Sequence, residues 1–243
     1  MKKKLNILAI IPARSGSKSI KNKNLKEINN IPLIGYSINI ARKSKLINRI
    51  IVSTDSKKIR KVAKQFKAEV PFMRPKKFAK DTSKDTEYLK HTINTLRIKE
   101  NYKADIIVIL RPTLPFRNYK IIDKAIKQFS KTKADSLKSI TIAKETPFKM
   151  WEIYGKKYIK PIFGWKNLKF TNTPRQLLKK IYWQNGYVDI LSPKTLKKYN
   201  NELGKKIIFF KINFYTIDID YKHDLNQAKR KKKLYINKNI FPS

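Results

Sequence analysis

"LNILAIIPARSGSKSIKNKNL", residues 5–25, decides the fold. Its first half is a nearly unbroken apolar run ending in Pro12, which reads as a strand buried on both faces. Its second half is a loop around a single glycine, Gly16, with Arg14, Lys18, Lys21 and Lys23 beside it and Lys26 just beyond. Such a strand feeding a polar turn is how a parallel α/β sheet begins, and ligands of these sheets bind beyond the strands' C-terminal ends. Gly16 would let the backbone turn and come close to a ligand. Ser17 and the loop N–H groups could donate to phosphate oxygens as an anion nest does. The Walker spacing G-x-x-x-x-G-K-[ST] is absent. On composition alone, a solvated basic loop is the alternative.

Outward from this stretch, strand-like and helical patterns alternate. "RIIVSTD" (49–55), a short "AEVPF" (68–72), "ADIIVILRP" (104–112), "NGYVDIL" (185–191) and "KKIIFFKINF" (205–214) read as strands, and "TIDID" (216–220) continues the alternation. Helical spacing appears at Ile34, Ile38 and Ala41 with Pro32 near the start, then at Ile59, Val62, Ala63 and Phe66. It returns at Leu89, Ile93 and Leu96, at Ile122, Ala125, Ile126 and Phe129, and in a last helix from about Lys222. The expected fold is α/β, a Rossmann-like, mostly parallel sheet with helices on both faces, in one domain over 1–243. From about residue 144 to 180 the rhythm breaks into aromatics, prolines and glycines. This reads as an inserted lobe suited to a subunit interface, or else as an irregular loop packed on its own domain.

The 243 residues are 41% hydrophobic and 11% aromatic, which excludes a disordered polycation. No cysteine is present, which excludes disulfides and thiolate metal sites and fits a reducing cytoplasm. "MKKKLNILAII" resembles the front of a signal peptide, but "PARSGSK" follows with no small-residue cleavage site. No apolar run reaches the length of a membrane span. The net charge of +41 comes from lysine spread along the whole chain. Its one dense cluster is "AKRKKKLYINK" (228–238). A nucleic-acid binder is therefore the reading from a different class, and would show one basic face with aromatics for stacking. The charge favours anionic small substrates in either case.

In "TIDID", Asp218 and Asp220 lie one residue apart on an extended segment and so share a face. Adjacent carboxylates repel unless a cation or proton lies between them, and oxygen-only ligation suits Mg²⁺. The alternative is that Asp220 caps the helix that follows. Asp224 reads as a helix-start residue outside any metal site.

The motifs, taken in order, resemble those of the CMP-sugar synthetases, the cytidylyltransferases that activate acylneuraminic (sialic) acids and related nonulosonic acids. Their opening form A-R-x-x-S-K-x-x-x-x-K-N is matched by Ala13, Arg14, Ser17, Lys18, Lys23 and Asn24. "IIVSTDS", "MRPKKFAKDTSKD", "RPTLPFR", "TPFKM", "PRQLLKKIYWQNGYVDI" and "IDIDYKHDLNQA" follow, so the likeness runs from about residue 5 to about 230. The resemblance implies a nucleotide-diphospho-sugar transferase type of fold and transfer of CMP from CTP to an acid sugar. It implies that Arg14, Ser17, Lys18 and Lys23 contact phosphates, that Asn24 helps to hold the nucleotide, and that Arg74 and Asp85 approach the cytosine. An aspartate can accept from a cytosine amino group; a surface ion pair is the other reading of Arg74 and Asp85. It also implies Mg²⁺ on Asp218 and Asp220. Arg111, Lys149, Arg175, Asn185 and Asp189 would face the sugar acid, with Lys149 and Arg175 on a lobe that crosses to the partner of a homodimer.

The chain departs from the family pattern at three places. Arg111 replaces the usual glutamine, Leu114 replaces serine, and Asp189 stands where tyrosine is common; Thr113 and Arg117 fit. These changes bear on the acceptor more than on the reaction, so legionaminate, pseudaminate and 3-deoxy-octulosonate stand as alternatives to a sialic acid. Asp189 is either an acid facing the sugar or a solvent-facing strand residue.

Overall fold

The structure, a computed structural model, describes residues 4–237, and side chains up to residue 230. The dense basic cluster at 228–238 therefore falls largely outside the described side chains, and its last residue outside the described chain. The elements in chain order are β1 (Ile7–Pro12), β2 (Glu27–Ile28), β3 (Ile31–Pro32), α1 (Leu33–Lys43), β4 (Arg49–Ser53), α2 (Lys57–Gln65), α3 (Asp85–Glu100), β5 (Ile106–Ile109), α4 (Tyr119–Ser130), β6 (Ser136–Ile142), β7 (Trp151–Tyr154), β8 (Tyr158–Pro161), α5 (Lys169–Asn172), β9 (Tyr182–Leu191), α6 (Pro193–Tyr199), β10 (Ile207–Lys211) and α7 (Lys222–Asn237).

The main sheet runs β4-β1-β5-β9-β6-β10. β1 is parallel to both neighbours, β10 is parallel to β6, and β9 runs against β5 and β6. Because β1 is flanked on both edges and covered on both faces, its residues split by period two. Ile7, Ala9 and Ile11 pack with α1, α2 and α4, while Leu8 and Ile10 pack with α3 and α6. That two-sided burial is why the opening run is apolar throughout. Each buried Leu or Ile side chain contributes about 1.5–3 kcal/mol.

A third cluster positions the site. Ile20 of the opening loop, Ile28 of β2, Leu33 and Tyr36 of α1, and Leu225 and Ala228 of α7 enclose Ile217 and Ile219. Alternation then sends Asp218 and Asp220 outward. The segment is extended but joins no strand; Ile219 N–H donates to Thr113 O at 2.8 Å.

Two further differences from the sequence reading have local causes. "AEVPF" makes only an isolated bridge between Ile51 and Glu69, since Pro71 has no N–H to extend a ladder. β6, absent from the sequence reading, is "SLKSITI", whose alternate polar residues mask it. Its polar groups are satisfied inside the sheet: Ser136 Oγ donates to Leu203 O at 2.6 Å, and Ser139 Oγ accepts from Val188 N–H at 2.9 Å. The lobe is a β7–β8 hairpin with short helical turns. Phe148 packs on Phe163 and Phe170, while Trp151, Ile153, Tyr158, Trp165 and Leu177 stay exposed.

Candidate active site

A cleft of about 560 Å³ opens where β1 and β5 end. Its wall collects Arg14, Ser17, Lys18, Lys23 and Asn24 from the opening loop, and Arg74, Lys80, Asp81 and Asp85 from the stretch before and into α3. Arg111 and Thr113 after β5, and Asp220 before α7, complete it. A second cavity of about 330 Å³ adjoins the lobe, lined by Thr141, Lys144, Glu145, Met150, Trp183, Asn185 and Asp218 among others. The aspartates thus mark a seam, with Asp220 on the larger cleft and Asp218 on the smaller.

The opening loop is held by polar ties. Asp55, at the end of β4, accepts from Ser15 N–H at 2.8 Å and from Ser15 Oγ at 2.5 Å. Asn24 Nδ2 donates to Arg14 O at 2.9 Å, so Asn24 shapes the loop itself. Gly16 lies outside the left-handed region and an added Cβ would meet no protein atom within 4 Å, so the turn does not require glycine. Lys23 Nζ reaches Asp220 Oδ1 at 2.8 Å and Ile219 O at 3.1 Å, joining the loop to the aspartate segment.

Asp81 was not among the residues singled out in the sequence, yet it occupies the loop's cations. Arg14 Nη1 lies 2.5 Å from Oδ1 and Lys18 Nζ 2.9 Å from Oδ2. Those two contacts hold its carboxyl below the ordinary aspartate range. A polyphosphate that used these cations would have to displace it. Asp81→Asn is therefore expected to tighten nucleoside triphosphate binding about two- to fivefold, the scale of an exposed ion pair. Titration calorimetry checks this, and unchanged or weaker binding would show that Asp81 does not compete.

Arg74 is buried, which removes the surface ion-pair reading. Its Nε donates to Ser53 Oγ at 3.0 Å and Nη2 to Ser53 O at 2.6 Å, and it lies 4.6 Å over the Tyr88 ring. Burial lowers its pKa. Asp85 pairs with Arg111 Nη2, and Arg111 Nη1 pairs with Asp189 Oδ2 at 2.5 Å.

Asp189 is 1% exposed, which removes the solvent-facing reading; it lines neither cavity described above and stands behind Arg111. The register sets Lys138 directly opposite on β6, and its Nζ lies 3.2 Å from the same Oδ2. Burial raises the Asp189 pKa, but Arg111 and Lys138 outweigh it and hold the carboxyl below its ordinary value. The two departures at positions 111 and 189 are thus one compensated pair. Lys149 and Arg175 lie on the lobe outside both walls; Arg175 Nη2 donates to Lys144 O at 2.6 Å and braces the rim of the second cavity. Asn185 is buried with Nδ2 unpaired.

Asp218 stands in the wall of the second cavity, where loss of hydration pushes its carboxyl up. Thr113 donates to it and lowers it, and the Asp220 charge raises it again. A carboxyl raised in part by a neighbouring carboxylate fits a cation placed between the two. Among the described residues no group of three or more His, Cys, Asp or Glu side chains could hold a metal, so an ion here would need substrate and water oxygens, as Mg²⁺ accepts. Asp224 Oδ2 accepts from Asp220 N–H at 3.1 Å and Tyr221 N–H at 2.7 Å, which commits it to the helix start.

A solved structure of CMP:2-keto-3-deoxy-manno-octonic acid synthetase complexed with CTP has a TM-score of 0.69 over 94% of this chain and 99% of that one, at 15% identity, a likeness of fold. The flagellin modification protein B of Campylobacter coli is 33% identical over 222 residues, covering 90% of this chain and 91% of that protein. The CMP-N,N'-diacetyllegionaminic acid synthase of Campylobacter jejuni is also 33% identical over 222 residues, with the same coverage. The cytidylyltransferase family matches residues 8–234, nearly the whole described chain, and this protein belongs to that family of CTP-dependent nucleotidyltransferases.

Proposed function

We propose that the protein transfers CMP from CTP to a nonulosonic, sialic-acid-like α-keto sugar acid and releases pyrophosphate. The observation that carries this reading is the seam. A cationic cleft large enough for a nucleotide meets a smaller, mostly apolar cavity at Asp218 and Asp220. Arg14, Lys18 and Lys23 take the triphosphate, and Ser17 donates to it. The acceptor fills the second cavity, whose wall includes Asn185, a buried amide with an unpaired Nδ2. The anomeric hydroxyl forms a new O–P bond at the α-phosphorus as the α–β bridging bond breaks, and the loop cations neutralise the departing pyrophosphate. Mg²⁺ held by Asp218 and Asp220 would polarise the phosphate and lower the pKa of the attacking hydroxyl.

Lys149 and Arg175 belong to the exposed aromatic lobe, and a homodimer would carry them to the partner's second cavity, where Arg175 could bind the sugar carboxylate bidentately. Light scattering at micromolar concentration is expected to give about twice the chain mass; a fully active monomer would end the shared-site idea. The legionaminate synthase likeness puts that acid first among acceptors to try. Pyrophosphate release should be assayed with CTP and a panel of sialic, legionaminic, pseudaminic and 3-deoxy-octulosonic acids. A nine-carbon acid is expected to turn over fastest. Turnover with the eight-carbon acid alone would overturn the acceptor class, and turnover with none would overturn the reaction.

A further inference from the structure

One carboxylate in the cleft is paired away from the cations of the opening loop. Asp85 stands at the first turn of α3 in a wall that also holds Arg14, Lys18, Lys23 and Arg74. A loosely held acid in such company folds onto the phosphate cations, as Asp81 does. Asp85 is held elsewhere. Its Oδ2 takes Arg111 Nη2, and the other arm of that guanidinium is fixed by Asp189, a buried carboxylate that Lys138 grips from the next strand. The chain Lys138–Asp189–Arg111–Asp85 spans β6, β9, the end of β5 and α3. It alternates in sign and closes neutral, so burial leaves no uncompensated charge. Anchored at its rear by Asp189, Arg111 holds Asp85 away from the phosphate cations. Among the described residues no donor is paired with Asp85 Oδ1, and the side chain is 31% exposed.

An open carboxylate oxygen repels phosphate and rewards only a donor. Within cytidine triphosphate the donors are the ribose hydroxyls and the cytosine amino group, and only the amino group would let Asp85 tell one base from another. Cytosine presents an exocyclic amino donor where uracil presents a carbonyl acceptor. Resting on the CTP reading above, we propose that Arg111 is a positioning residue: it holds Asp85 as the acceptor for the cytosine amino group, so the pair of Arg111 with the buried Asp189 sets the preference for CTP over UTP.

The test is equilibrium binding of CTP and UTP to wild type, Asp85→Asn, Arg111→Gln, Arg111→Lys and the double variant Arg111→Gln/Asp189→Asn, each checked for a cooperative melt. Wild type is expected to prefer CTP. Asp85→Asn should cut the CTP/UTP ratio about ten- to hundredfold, the scale of one well-made base contact, because an amide can turn its NH₂ to the uracil carbonyl. Arg111→Gln should cut it comparably with Asp85 still present. The double variant, which also removes the Asp189 charge that Lys138 alone would then hold, should not regain the preference, and Arg111→Lys should restore part of it. A wild-type ratio in folded Arg111→Gln or in the double variant would overturn the positioning role, as would a raised KM for the acceptor alone. Failure of wild type to bind CTP would overturn the cleft reading together with this one.

Discussion

Asp220→Asn is expected to lower turnover by about 10²–10³ at saturating CTP, the usual loss when one preorganised charge-stabilising group is removed. The substitution keeps shape and volume and removes one of two carboxylates at the seam. Three observations separate this from a structural effect. Asp224, not the Asp220 side chain, ties the turn into α7 by accepting from the Asp220 and Tyr221 N–H groups, and that tie survives the substitution. The Ile217 and Ile219 side chains that pin the segment are untouched. The Lys23 contact that is lost has a half-exposed partner, worth at most about 1 kcal/mol. Turnover should therefore collapse while the melting temperature moves little, and raising Mg²⁺ should recover part of the rate. Normal turnover with a lowered melting temperature would end the assignment of Asp220 to the metal. Asp218→Asn should behave similarly if the two share one ion.

Arg117→Met is expected to destabilise the fold by about 3–5 kcal/mol. Arg117 is 0% exposed. Its guanidinium donates to Tyr187 O at 2.6 Å, Arg111 O at 2.9 Å, Gly186 O at 3.4 Å, Ser37 Oγ at 3.3 Å and Leu114 O. Burial pulls its pKa down to about 10, so it stays charged at neutral pH. Methionine fills the space but leaves several carbonyls without a donor. Arg117→Lys keeps charge without the planar fork, and should recover only part of the loss. Urea unfolding reads both; a midpoint shift worth under about 1 kcal/mol for Arg117→Met would contradict the strut role.

These two residues show what sequence makes legible. The aspartate pair was readable because alternation on five residues puts both acids on one face, and the opening loop because a buried strand must end at the ligand edge. β1, α1 and α4 were readable for the same reason, their apolar periods matching the faces they cover. Arg117 matched a pattern, but its task depends on carbonyls of β9 some 70 residues away. Asp189 and Lys138 were illegible as partners because β6 has no apolar run, and only the register of β9 on β6 sets them opposite each other. Asp81 gave no signal, since a loop acid reads as solvated until the fold brings it to Arg14 and Lys18.

The measurement that tests the central claim most directly is identification of the product. Wild-type protein, CTP, Mg²⁺ and a nonulosonic acid should be followed by phosphorus NMR and mass spectrometry. The expected result is one pyrophosphate per new phosphodiester, with CMP attached to the anomeric oxygen of the sugar acid and little product when ATP or GTP replaces CTP. Free CMP with no sugar ester, or equal product from every nucleotide, would contradict it.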